Sequence, residues 1–182
     1  MADLTGTTVA FLLTDGYEDS ELTSPWQAAV DAGATPVLVS PAEGNVTGEK
    51  GHSQKVDLPV SEAKAGDFDA LMLPGGVGNA DALRLDTDAV GFVRNFFGQH
   101  KPVGVICHGA WILADTDVLA GRRLTSFPSL QTDLRNAGAT WVDEEVVVDQ
   151  GLVSSRTPDD LPAFNAKLVE EMGEGKHEGQ TA

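Results

Sequence analysis

Short apolar runs alternate along the chain with segments whose apolar residues recur every three to four positions. Residues 9–13 (VAFLL), 36–39 (PVLV), 70–73 (ALML) and 103–106 (VGVI) are of strand length and apolar at nearly every position. Between and after them, residues 22–32, 89–97, 112–119, 130–137 and 161–172 carry the helical period. The first of these puts Trp26, Ala29 and Val30 on one face and stops at Gly33; the fourth stops at Gly138. Residues 50–59 are polar and predict a hairpin or an excursion from the core. Residues 146–148 and 152–155 flank Asp149-Gln150-Gly151, a hairpin signal. Strands apolar on both faces, alternating with helices, predict an α/β fold with a mainly parallel sheet covered on each side.

Composition narrows this picture. The 182 residues suffice for one domain with a sizeable core, taken as 1–172. Residues 173–182 (GEGKHEGQTA) have no apolar anchor and are expected to fray, which gives His177 no catalytic part. No run approaches the roughly 18 apolar residues of a membrane span. No basic stretch precedes the first apolar run, so no signal peptide is expected, and one cysteine allows no internal disulfide. A cytoplasmic protein is the expectation. The net charge of -16, from 28 acidic and 12 basic residues, argues against nucleic acid or anionic lipid as partners. The acids are spread along the chain, as a solvated surface suited to a salty cytoplasm would have them.

Ligands of parallel α/β sheets bind beyond the carboxyl ends of the strands. Three such ends carry unusual residues: 15–21, 74–78 and 107–109. Cys107 is the only cysteine, in VGVICHGAW. A lone cysteine is commonly a small core residue. Here the apolar run stops at the sulfur, His108 adjoins it, Gly109 follows, and a helical segment comes next. That is the order of a sharp nucleophile turn, where a helix N-terminus favours the thiolate.

Glu18 and Glu21 are three apart, so one helical turn places both on one face. Glu18 alone also fits helix N-terminal decoration. An ionised carboxylate beside the sulfur would oppose thiolate formation, whereas a buried neutral one would donate a hydrogen bond to it. A reactive cysteine therefore predicts a buried, protonated glutamate. LPGGVGNAD matches neither a phosphate loop nor a dinucleotide fingerprint. It fits a tight turn, or a backbone oxyanion hole in which Gly75 or Gly76 acts with the N–H of His108. For His108 to work with Cys107, an orienting carboxylate must come from elsewhere, and Asp81 is the candidate, including from another subunit. No cluster of His, Cys or acids has metal-ligand spacing, so no metal and no cofactor are expected.

The ordered set DGYEDSEL, LMLPGG followed by NADALR, VGVICHGAW, GRRLTSFPSLQTDLRNAGATWVDEEVVVD and LVSSRTPDDLPAF resembles the ThiJ/PfpI family over residues 7–172. The resemblance implies a flavodoxin-like three-layer α/β/α sandwich, with Cys107 as nucleophile and His108 as its partner. It implies that Glu21 contacts the cysteine, that Glu18 lies nearby, and that Gly75 and Gly76 form the oxyanion hole. It gives Asp81, where some members carry Glu, the task of orienting the histidine across a subunit interface. Phe127 stands where some members carry a tyrosine, so no phenolic step is expected. The more remote glutamine amidotransferases need a downstream His-x-Glu, which this chain lacks.

Three functions are compatible with these residues. The first is a stress-response enzyme acting on reactive carbonyls, either a small-molecule carbonyl or a glycated protein, as a glyoxalase or deglycase does. The second is an intracellular cysteine peptidase acting on a peptide substrate. The third is a non-enzymatic redox sensor or chaperone whose thiol oxidises. The resemblance also implies a homo-oligomer, dimer or hexamer.

Overall fold

The structure, a computed structural model, describes residues 2–180. Seven strands form the central sheet in the order β10-β11-β7-β6-β1-β2-β5. They are β1 (Thr8–Leu12), β2 (Thr35–Ser40), β5 (Leu58–Pro59), β6 (Ala70–Leu73), β7 (Val103–Ile106), β10 (Val146–Asp149) and β11 (Leu152–Ser155). Every pairing is parallel except β10 with β11, the hairpin expected at the C-terminal side. The polar excursion is a hairpin of β3 (Asn45–Thr47) and β4 (Ser53–Lys55), after which β5 rejoins the sheet edge beside β2.

The two-residue period of the strands divides the core into two layers. In β1, Val9 and Phe11 face one side and Ala10 and Leu12 the other, all four fully buried. On the Phe11 side pack α1 (Asp19–Asp31), through Leu22 and Ala29, and α5 (Leu161–Glu174), through Phe164 and Leu168. On the Leu12 side pack α2 (Val77–Leu85), through Leu83, and α3 (Thr87–Gly98), through Phe92, Phe96 and Phe97. The fold is thus the three-layer, flavodoxin-like α/β/α sandwich expected. Fully burying side chains of this size contributes roughly 1.5–3 kcal/mol each, which holds both layers on the sheet.

Several local expectations change. Val30, read as part of the buried face of α1, is 43% exposed, while Ala29 and Pro25 turn inward. Helix α2, absent from the sequence reading, follows directly on the glycine turn after β6. Its Gly78 and Asn79 are weak helix formers, and tertiary contacts override them. The helix expected at 112–119 is instead a 3-10 helix over Cys107–Asp115 that starts on the cysteine itself. The short helix near 130–137 is α4 (Gln131–Asn136). Beyond α5, the His177 N–H donates to the His100 carbonyl at 2.9 Å and Gln180 is buried, so the described part of the tail lies against the fold. Residues 181–182 of the expected frayed tail lie outside the described residues.

The chain runs from β1 to β2 on one side, then crosses to β6 on the other side of β1. A crevice opens at such a reversal, beyond the strand carboxyl ends. The segments after β1, β6 and β7 are the three that the sequence singled out.

Candidate active site

Cys107 follows the last residue of β7 and has φ 58°, in the left-handed region that side chains disfavour. Such strain at a strand end persists where surrounding contacts enforce it. Here the Phe127 N–H donates to the Cys107 carbonyl at 3.1 Å, and the 3-10 helix begins at once. The sulfur is thereby turned off the sheet edge into a small cleft of about 270 Å³. Its walls include Glu18, Glu21, Glu49, Gly76, His108 and Phe127. The cysteine is buried to 8% exposure, yet it borders this cleft, which the core-residue alternative does not explain.

Glu21, in the first turn of α1, is fully buried against the cysteine. Its Oε2 accepts the Gly75 N–H at 2.8 Å, and its Oε1 is enclosed with no hydrogen-bond partner among the described residues. Burial is the main cause that pushes its carboxyl up to about 8, so it is protonated at neutral pH. Burial, and then the charge Glu21 carries when ionised, push the Cys107 thiol up. The N–H groups of His108 and Gly76 pull it down. One proton between Glu21 and Cys107 is therefore the natural load of the pair: with the proton on Glu21, the repulsion vanishes and the acid can donate to sulfur. This is the buried neutral glutamate that a reactive cysteine requires.

The glycine turn makes this approach possible. A Cβ on Gly75 would collide with Glu21 Oε2 and come within 2.9 Å of Cys107 Cβ. Gly76 has φ 92°, which glycine alone adopts without strain. The turn divides the oxyanion role differently from the sequence reading. The Gly75 N–H is engaged by Glu21, so the donors facing the sulfur are those of Gly76 and His108.

His108 points back toward its neighbour, with Nδ1 3.4 Å from Cys107 Sγ. Its ring stacks on Phe127 at 4.7 Å between centroids. Burial lowers its pKa, so the imidazole is neutral and available as a base. Its Nε2 lies 3.3 Å from Ser129 Oγ, a partner the sequence reading did not name. Asp81 lies on the exposed side of α2 and makes no hydrogen bond or ion pair with His108 within the chain. Glu18 caps α1 and accepts from Ser20 Oγ at 2.9 Å and from Lys50 Nζ at 2.7 Å. Burial raises its carboxyl, but the Lys50 and Ser20 hydrogen bonds outweigh it and hold the group below the usual range, as a paired carboxylate.

Three further residues escaped the sequence reading. Asn79 is fully buried in α2, where its Nδ2 donates to the carbonyls of Pro74 and Gly75 and its Oδ1 accepts the Thr14 N–H at 2.7 Å. It ties the loop after β1 to the loop after β6. Lys50 and Glu49 come from the turn of the β3–β4 hairpin, and no local pattern marked that turn as part of the site. Away from the cleft, at the opposite end of α5 from Pro158, the ligand atoms of Glu171, Glu174 and His177 lie within 4.8 Å of one another. This is a grouping that sequence spacing had not suggested, and His177 Nε2 and Glu171 Oε2 already pair there at 3.2 Å.

Known proteins share this arrangement. The family model described as the DJ-1/PfpI family matches residues 7–171. Protein/nucleic acid deglycase 2 of Escherichia coli is 45% identical over 91% of this chain and 97% of its own length. YraA of Bacillus subtilis, named as a candidate cysteine protease, is 47% identical over 88% of this chain and 95% of its own. Among solved structures, a two-domain protein from Anabaena variabilis with DJ-1/ThiJ/PfpI-like and ferritin-like domains superposes with a TM-score of 0.89 at 33% identity. That match covers 97% of this chain, which spans half of the two-domain protein. With the family's match running from β1 through α5, and a strained cysteine set between a buried glutamate and a histidine, the chain belongs to the DJ-1/PfpI family.

Proposed function

We propose that the protein is a cysteine-dependent enzyme acting on reactive carbonyls, as a glyoxalase or protein deglycase. The observation that carries this reading is Cys107 in its strained turn, facing Glu21, His108 and the Gly76 N–H across a cleft of about 270 Å³. A cleft of that size suits a small α-oxoaldehyde, or the same group attached to an exposed side chain, better than an extended peptide.

The chemistry assigned to these residues is as follows. The Cys107 thiolate adds to the aldehyde carbon, forming a C–S bond while the C=O pair moves onto oxygen. The N–H groups of Gly76 and His108 hold the resulting oxyanion, and the proton on Glu21 is the nearest source for neutralising it. His108 Nδ1 takes the proton from the former aldehyde carbon and returns it to the adjacent one. The product is a 2-hydroxy thioester. Water then cleaves the C–S bond, releasing a 2-hydroxy acid and restoring the thiol. For methylglyoxal the sum is addition of one water to give lactate, with no external oxidant or reductant.

A peptidase is the second reading, favoured by the Bacillus relative's name; the same thiolate and donors would serve attack on an amide. Purified protein assayed side by side on methylglyoxal and on a fluorogenic peptide separates the two. Cys107→Ala is expected to abolish methylglyoxal turnover, by at least about 10³-fold. Wild-type turnover surviving that change would sink both readings.

We assign Asp81 to an intersubunit role. On the exposed face of α2, Val77 (53% exposed), Asp81 and Leu85 (84% exposed) recur every four residues, forming a stripe with two apolar members next to the cleft. A homo-oligomer built on that face would cover the apolar side chains and bring a carboxylate toward a neighbour's histidine. Among the described residues no helix is long and apolar enough to cross a membrane.

A further inference from the structure

The turn 48–52 of the β3–β4 hairpin is bolted to the site. Asp19 in α1 accepts the N–H groups of Lys50 at 2.9 Å and His52 at 2.6 Å. The buried Tyr17 donates its hydroxyl to the His52 carbonyl at 2.9 Å and accepts the Glu49 N–H at its own carbonyl at 2.8 Å. Glu49 is thus set at the cleft wall by a rigid turn. Its carboxylate acts electrostatically on both Glu21 and His108.

Charges around the cleft otherwise cancel. Glu18 is paired with Lys50. Glu21 holds a proton at neutral pH, and His108 is neutral through burial. Glu49 forms no ion pair among the described residues. The approach to Cys107 therefore carries one uncompensated negative charge, and the protein's net charge of -16 adds no opposing field.

We propose that Glu49 is a specificity determinant: it admits neutral and cationic carbonyl compounds to Cys107 and rejects anionic ones such as 2-oxo acids. This rests on the carbonyl reading for its substrates, but the filter itself is a property of the cleft. Repulsion of a wrong partner is a common basis of selectivity, and a single charge near a partly desolvated site is sufficient for it.

Two measurements test the proposal. The first compares alkylation of Cys107 by iodoacetamide, which is neutral, and iodoacetate, which is anionic, with glutathione as the free-thiol reference. The wild-type protein is expected to prefer iodoacetamide more strongly than glutathione does. Glu49→Gln should reduce that preference by about three- to ten-fold, and Glu49→Lys should reduce it further. The second compares kcat/KM for methylglyoxal and glyoxylate, whose ratio should fall in the same order. An alkylation preference equal to glutathione's, or unmoved by Glu49→Gln, overturns the filter whatever the enzyme's activity. A preference that shifts as expected, in a protein with no Cys107-dependent carbonyl turnover, upholds the filter and removes the carbonyl reading instead.

Discussion

At the scale of single residues, the site is governed by where one proton resides. Glu21 is pushed from 4.5 to about 8, mainly by burial. Between those values the folded protein holds a proton that the unfolded chain has released. Its contribution to stability is therefore full below about pH 4.5 and is lost as pH rises through about 8. At 1.36 kcal/mol per pKa unit this amounts to a few kcal/mol, on the order of 3–5. Urea denaturation at pH 5 and pH 8 should show wild-type stability falling across that window. Glu21→Gln, which cannot ionise, should flatten the decline. The same variant should alter the pH profile of Cys107 alkylation by iodoacetamide. An unchanged profile would exclude Glu21 from tuning the thiolate.

At the scale of elements, three loops from three strands must hold register to within a fraction of an ångström, and Asn79 is the clamp. Replacing it with Ala leaves the Thr14 N–H and the Pro74 and Gly75 carbonyls without their side-chain partner in a buried setting. The expected cost is about 2–4 kcal/mol in chemical denaturation, with lowered Cys107 reactivity in the protein that remains folded. A loss of stability within about 0.5 kcal/mol would mean that the turn after β6 holds itself. The strands themselves were legible: residues 70–73 and 103–106 match β6 and β7 to the residue, because their apolar runs are bounded by glycine, proline or polar residues. Helix α2 and the 3-10 form of 107–115 were not. Both start at strained backbone whose conformation is imposed by neighbouring strand ends and is not preferred by the local residues.

At the scale of the whole molecule, the exposed stripe of Val77, Asp81 and Leu85 connects the active site to self-association. If Asp81 completes the site of a neighbouring copy, light scattering should show an oligomer, and Asp81→Asn should lower kcat without dissociating it. A strictly monomeric species with full activity would remove that role. With a net charge of -16, copies repel one another, so association should strengthen as added salt screens them.

What the sequence determined alone was the class of fold, the strand positions and the chemical identity of the nucleophile. These follow from local period and from one cysteine placed where an apolar run ends. The family resemblance added Glu21, His108 and the glycine turn. Only the tertiary structure decided which groups face which. It gave the Gly75 N–H to Glu21, brought His108 Nδ1 to the sulfur, and carried Glu49 from a remote hairpin to the cleft wall. The physical reason is that pKa shifts, oxyanion donors and charge filters are relations between groups distant in the chain. Burial and backbone packing set those relations, and periodicity does not encode them.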